Sequence, residues 1–239
     1  MSEASLTETE RAAAGRLADD LARVFGDRLR VVVAYEPAMR TAADVSAVHT
    51  LALVDTVRSD DLSALLTAVA AWHKGGLATP LLLAQEEFER TLDVFPVEYH
   101  SILSRHVVVR GSWPSTNMSV TSADLRRGVE RQIKGHLIHL REGFLETHGR
   151  PSSVADLIRA SVPAFRAALQ NVARLRLSPA GTDEELVSFA QSELKADAAT
   201  VRDVIAFGRG GQAADAPPLV PRYVALVEQL WRAVDRDAI

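Results

Sequence analysis

The 239-residue sequence contains no cysteine, so disulfides and thiolate metal sites are excluded. It has no uninterrupted apolar run near the ~20 residues that a membrane-spanning helix needs. Its opening, MSEASLTETERAAAGRL, is polar and acidic and has none of the apolar core that a signal peptide carries. Charge of one sign is scarce too. The formal net charge of -4 gives no reason to expect a polyanion-binding chain as a whole, although a local basic face stays open. These absences make a soluble, cytoplasmic protein the expectation. What is present is ordinary core-forming material, 47% hydrophobic and 24% charged, enough for one large or two small domains.

Two textures follow one another along the chain. Roughly residues 1–113 alternate helices with strands. Thr7 is placed to cap a first helix, in which Ala13, Leu17, Leu21, Val24 and Phe25 recur at helical spacing before Gly26 stops it. Strand-like LRVVVAY (Leu29 to Tyr35) and VHTLALVD (Val48 to Asp55) flank a twelve-residue loop. SDDLSALLTAVAAWHKGG reads as one helix capped by Ser59, with Leu62, Leu65, Leu66, Val69 and Trp72 on its apolar face and Gly75-Gly76 closing it. TPLLLA then reads as a strand, QEEFERTLDV as a short helix, and FPVEYHSI and HVVVRG as two more strands. The polar, proline-containing SWPSTNMSVTS (Ser112 to Ser122) marks a boundary between residues 1–117 and 118–239. Beyond it the period stays helical: 122–147, 153–177 with an interruption at Pro163, 182–195, 198–208 and 219–236, with GRGGQAADAPP (Gly208 to Pro218) as a loop. The predicted fold class is α+β, a small mixed β-sheet with flanking helices followed by an all-α helical bundle.

The helix before VVVAY, the long loop into LALVD, then FPVEY, HVVVRG and the long helix DLRRGVERQIKGHLIHLREGFLE together resemble the nucleotidyltransferases of polymerase-beta type that carry a C-terminal helical domain. That resemblance implies a Gly-Ser pair after the first strand to grip phosphates, and two acidic residues one apart on the next strand to hold metal. Side chains two apart on a strand share a face, so both carboxylates can converge on one Mg²⁺, a hard cation that takes oxygen ligands. Here Ala34-Tyr35 stand where Gly-Ser would be, and Val48 and Thr50 where the acidic pair would be. Shifting the register by one gives His49 and Leu51, which serve no better. Glu98 in FPVEYH falls near the family's third acidic position, but one carboxylate is not a metal site. The resemblance therefore implies a degenerate active site in a non-catalytic binding or regulatory module. Ala34, Tyr35, Thr50 and Glu98 would line a cleft between the two parts, with no cofactor and with a nucleotide or a protein as partner. An active enzyme would need Mg²⁺ on a rearranged set such as Asp44, Asp55 and Glu98. If no nucleotidyltransferase underlies the pattern, another α/β fold with Tyr35 and Glu98 as ordinary strand residues is the alternative.

The helix at 122–147 carries further candidates. At ~100° per residue, Leu125, Val129, Ile133, Leu137, Leu140 and Phe144 form one stripe, with Arg127, Arg131, Lys134 and Arg141 largely opposite. The basic face offers either an RNA-binding surface, as in a nuclease or toxin–antitoxin component, or a solvated face with local pairs such as Arg127 with Glu130. RQIKGH resembles the Arg-x4-His motif of helical HEPN ribonucleases, but Arg131 and His136 sit ~140° apart around the helix, and a packed histidine is the plainer reading. His136 and His139 are spaced to share a metal, with no third ligand nearby. GRGGQ lacks the preceding strand and the lysine of a phosphate loop. Trp72 and Trp231 read as core, and Trp113 as packing between the two parts.

Exposed polar loops are where nicking concentrates, so limited proteolysis is expected to cut first within 112–121 or 208–218. Earlier cleavage inside Leu125 to Phe144, followed by mass spectrometry of the fragments, would contradict the proposed helical half.

Overall fold

The computed structural model describes residues 6–38, 47–113, 118–178 and 180–236. The chain divides into two compact units, the first closing at Thr121 and the second opening at Ser122. No described helix is long and apolar enough to cross a membrane.

The first unit opens with α1 (Glu8–Phe25), whose Thr7 and Glu10 form a reciprocal capping box. It continues through β1 (Leu29–Tyr35), β2 (His49–Val54), α2 (Ser59–Leu65), α3 (Val69–Lys74), β3 (Leu81–Ala84), α4 (Gln85–Arg90), α5 (Pro96–Ser104) and β4 (His106–Gly111). The four strands form one mixed sheet in the order β3-β2-β1-β4. The central β1 runs antiparallel to both β2 and β4, while β3 runs parallel to β2. Both faces of the sheet are covered. On one, Leu17, Leu21 and Phe25 of α1 and Trp72 of α3 pack on Val32, Ala52 and Val54. On the other, Phe88, Tyr99 and Ile102 pack on Val31, Val33, Leu51 and Leu53. Arg28 grips Asp61 through two hydrogen bonds of 2.8 and 2.7 Å, tying the start of β1 to α2, and holds that carboxyl down at about 2.

Three expectations for this unit need correction. FPVEYHSI is the helix α5, not a strand: Pro96 sits in its first turn, Glu98 favours the positive helix start, and Tyr99, Ile102 and Leu103 meet the sheet at helical spacing. The expected single helix after Ser59 breaks at Leu66–Ala68, where backbone bonds tighten to three-residue spacing. Leu62 and Leu66 consequently stay exposed while Leu65 and Trp72 are buried. Trp113 packs edge-on against Phe88 and stacks on His106, within the first unit.

The second unit holds α6 (Ser122–Glu146), α7 (Pro151–Leu175), α8 (Asp183–Leu194), α9 (Ala198–Phe207) and α10 (Ala216–Arg236). Helices α6, α7 and α10 pack on one another around Val129, Ile133, Leu137, Phe165, Leu169, Tyr223 and Val227. α7 runs unbroken through Pro163, because the burial of Val162 and Phe165 on either side holds the helix where one lost backbone bond would weaken it. α10 starts at Ala216, so the last residues of the expected 208–218 loop are helical. Trp231 is only half-buried, and its ring lies 3.5 Å from the Lys134 Nζ.

Two glycines separate backbone from side-chain tolerance. A Cβ on Gly111, whose φ is +77°, would lie 2.2 Å from the Arg30 carbonyl oxygen, whereas one on Gly143 would meet the Leu157 Cδ1 at 2.6 Å. Gly111→Ala is expected to lose about 2 kcal/mol or more in urea denaturation, since neither the backbone angle nor the carbonyl can yield. Gly143→Ala is expected to lose less, because Leu157 can change rotamer.

Candidate functional site

The far end of the sheet is where β1 finishes and β2 begins. The register pairs Ala34 with Thr50 and Tyr35 with His49 on one side of β1, and Tyr35 with His106 of β4 on the other. Cross-strand partners share a face, so alternation sends Ala34 and Thr50 toward α1 and Tyr35, His49 and His106 toward α4 and α5. Ala34 is 2% exposed and Thr50 1%, and the Thr50 hydroxyl has no hydrogen-bond partner among the described residues. Of the four residues expected to line a cleft, only Tyr35 and Glu98 reach solvent.

Glu98 approaches from α5. It stands close enough to Tyr35 that its charge adds to burial in pushing the phenol up to about 12. Crowding by protein raises the Glu98 carboxyl in turn, although its tip meets solvent. Tyr99, beside it, shares a hydroxyl contact of 3.2 Å with Thr91, and its ring lies tilted against Phe88. Ser101 donates to the Glu36 carbonyl at 2.7 Å, and Arg105 pairs with the Glu36 carboxylate at 3.0 Å, so α5 is fastened just beyond the end of β1. The His106 Nδ1 lies 2.9 Å from the Ile102 carbonyl, to which it donates. Sequence reading missed this row of His49, Tyr35 and His106. Its signal was there, because each histidine sits at the end of an apolar run that pairs with VVVAY.

The described residues at this end of the sheet do not gather ligands for a divalent metal. Among the described residues no three histidine, aspartate or glutamate side chains converge to hold one. Asp55 is gripped by Arg30 at the Leu29 end of the sheet, away from Glu98 at the Tyr35 end, and Asp44 lies outside the described residues. Neither Val48 with Thr50 nor His49 with Leu51 supplies a carboxylate.

No family model matches the sequence, and no curated protein matches it. Among solved structures the chain resembles spectinomycin adenyltransferase AAD(9) from Enterococcus faecialis, determined with ATP and spectinomycin. The TM-score is 0.53 at 9% identity, covering 92% of this chain and 98% of that one. The chain shares the fold of that nucleotidyltransferase. At that identity the likeness extends to architecture, and the nucleotidyltransferase-like unit has to be judged on its own residues.

The helical unit offers the other candidates. On α6, Arg127 pairs with Asp124, Arg126 rather than Arg127 takes Glu130, and Arg141 reaches Glu228 at 3.3 Å. Lys134 lies over Trp231, and Arg131 stands exposed. Much of the basic face is therefore neutralised by neighbours. His139 contacts Glu142 at 3.3 Å, while the His136 Nε2 accepts from the buried Tyr223 hydroxyl at 2.9 Å. Ser161 donates to the same hydroxyl at 3.1 Å, and Phe165 packs edge-on to its ring. His136 is a packed histidine.

Burial, with a smaller contribution from His139, lowers the His136 imidazole from its ordinary 6.5 to about 4. The unfolded chain thus binds this proton first as pH falls. Stability is expected to be fully present above 6.5 and to decline as pH drops toward 4. Urea midpoints measured across that window should show the decline in the parent protein and a flatter profile in His136→Gln. An identical slope in both would show that His136 titrates as an exposed histidine does.

Proposed function

We propose that the chain is a catalytically degenerate nucleotidyltransferase-like protein, a binding or regulatory module that needs no metal. What carries the reading is the end of the sheet. The two positions that would hold metal carry Val48 and Thr50, and Glu98 approaches Tyr35 with no second carboxylate beside it among the described residues. Nucleotidyl transfer asks a metal to neutralise triphosphate charge and to align attacking and leaving oxygens. A single carboxylate raised by crowding supplies neither. Tyr35 also sets a ring where close phosphate approach calls for a small residue. Aromatic surface is retained at this end, in Tyr35, His49, His106 and Trp113, and flat apolar surface of that kind can hold a ligand without turning it over.

The solved neighbour was determined with ATP, which makes ATP the first ligand to test. We expect no incorporation from any of the ribonucleoside triphosphates with Mg²⁺ or Mn²⁺. A thermal shift with ATP that survives chelation of divalent ions would support binding without turnover. Metal-dependent turnover that disappears in Glu98→Gln would overturn the proposal.

A further inference from the structure

The second unit contains an open-mouthed cavity of about 520 Å³ between the end of α9 and the start of α10, a volume within the range of small-molecule sites. Its apolar lining comes from Ala206 and Phe207 of α9 and Pro218 and Leu219 of α10. Four charged side chains reach the cavity, and three of them are already engaged. Arg209 is paired with Asp183, while Arg222 is paired with Asp203 at 2.9 Å and also donates to the Thr200 hydroxyl at 3.1 Å. Asp215 has no hydrogen-bond or ion-pair partner for its carboxylate among the described residues. The spent cations and the free anion give the cavity a cation preference.

The backbone pushes the same way. α9 ends at Phe207, so the negative end of its dipole opens on the cavity. The start of α10 would ordinarily offer N–H groups to an anion, but its second and third residues are Pro217 and Pro218, which have none. The feature that most often makes a helix start attract anions is missing here. Gly211 keeps the turn closed over Phe207, since a Cβ there would lie 2.2 Å from the ring. The apolar wall is therefore held in place by backbone.

We propose that this cavity binds an amphipathic organic monocation, a single ammonium group on a small apolar body. The body lies on Phe207 and Leu219, and the ammonium group pairs with Asp215. This site belongs to the helical unit and does not depend on the degenerate-enzyme reading.

The test compares three probes with one carbon skeleton: 2-phenylethylamine, 2-phenylethanol and phenylacetate. Amide chemical-shift changes on titration should localise to 203–222 and saturate, with the amine binding tightest and the carboxylate weakest. The preference of amine over alcohol should be roughly two- to five-fold, the scale of an exposed ion pair, and should shrink with added salt. Asp215→Asn should erase that preference and leave the alcohol's affinity unchanged, which a merely structural role for Asp215 would not do. Ala206→Leu, a change at an exposed lining position, should weaken all three probes by narrowing the cavity. Phenylacetate binding as tightly as the amine, or an amine preference that survives Asp215→Asn, would overturn the proposal, as would shift changes centred outside 203–222.

Discussion

The pairing of β1 with β2 is the constraint on which the first unit depends. Val31, Val32 and Val33 are 0% exposed, as are Leu51, Ala52, Leu53 and Val54, so this strand pair is covered on both faces. A ladder so placed can satisfy its backbone groups only through its neighbours, which is why β3 and β4 flank it and α1 and α5 close over it. The same burial governs what its ends can carry. Two carboxylates side by side in such a setting are tolerable when a cation neutralises them, and costly when none does. Where no cation is held, packing favours uncharged residues. Val48 and Thr50 are consistent with that pressure, and Thr50 shows its residual cost in a buried hydroxyl with no partner among the described residues.

Glu98 follows different rules because it rides on a helix. A strand residue at that point would have alternated between core and solvent, whereas the first turn of α5 lets an acid sit at a positive helix start with its tip in water. Loss of hydration raises its carboxyl, and its charge in turn helps to raise the Tyr35 and Tyr99 phenols. The retained acid is therefore compatible with the fold on structural grounds alone, and its presence does not argue for retained chemistry.

The architecture was legible where one strong pattern acted without competition. The valine run of β1, the leucine-rich β2, the Thr7–Glu10 cap and the 25-residue α6 all follow from periodicity and capping chemistry. Where two patterns competed, reading from sequence went astray. FPVEYHSI satisfies a strand's alternation over four residues, but Tyr99, Ile102 and Leu103 form a helical face that appears only when the window is extended. Pro163 was read as a break because propensity alone says so, and tertiary burial on both sides of it prevailed. At the end of the sheet, the uncharged residues Val48 and Thr50 can be read directly from the sequence. The row of His49, Tyr35 and His106 was signalled by two apolar runs that each open on a histidine, but assembling it takes the pairing of β1 with β4, which is distant in sequence.

In the helical unit the organising feature is polar. Tyr223 is 0% exposed, and its hydroxyl meets His136 of α6 and Ser161 of α7, while its ring meets Phe165. One hydroxyl thus fixes the mutual register of three helices whose apolar stripes would tolerate sliding by a turn. Burial in that setting keeps His136 neutral, because a charged ring would lose its hydration between the helices. The arginine–histidine spacing on α6 is then a consequence of packing rather than of cleavage chemistry. Arg131 faces water while His136 faces a buried phenol, so packing by itself accounts for the histidine at this position.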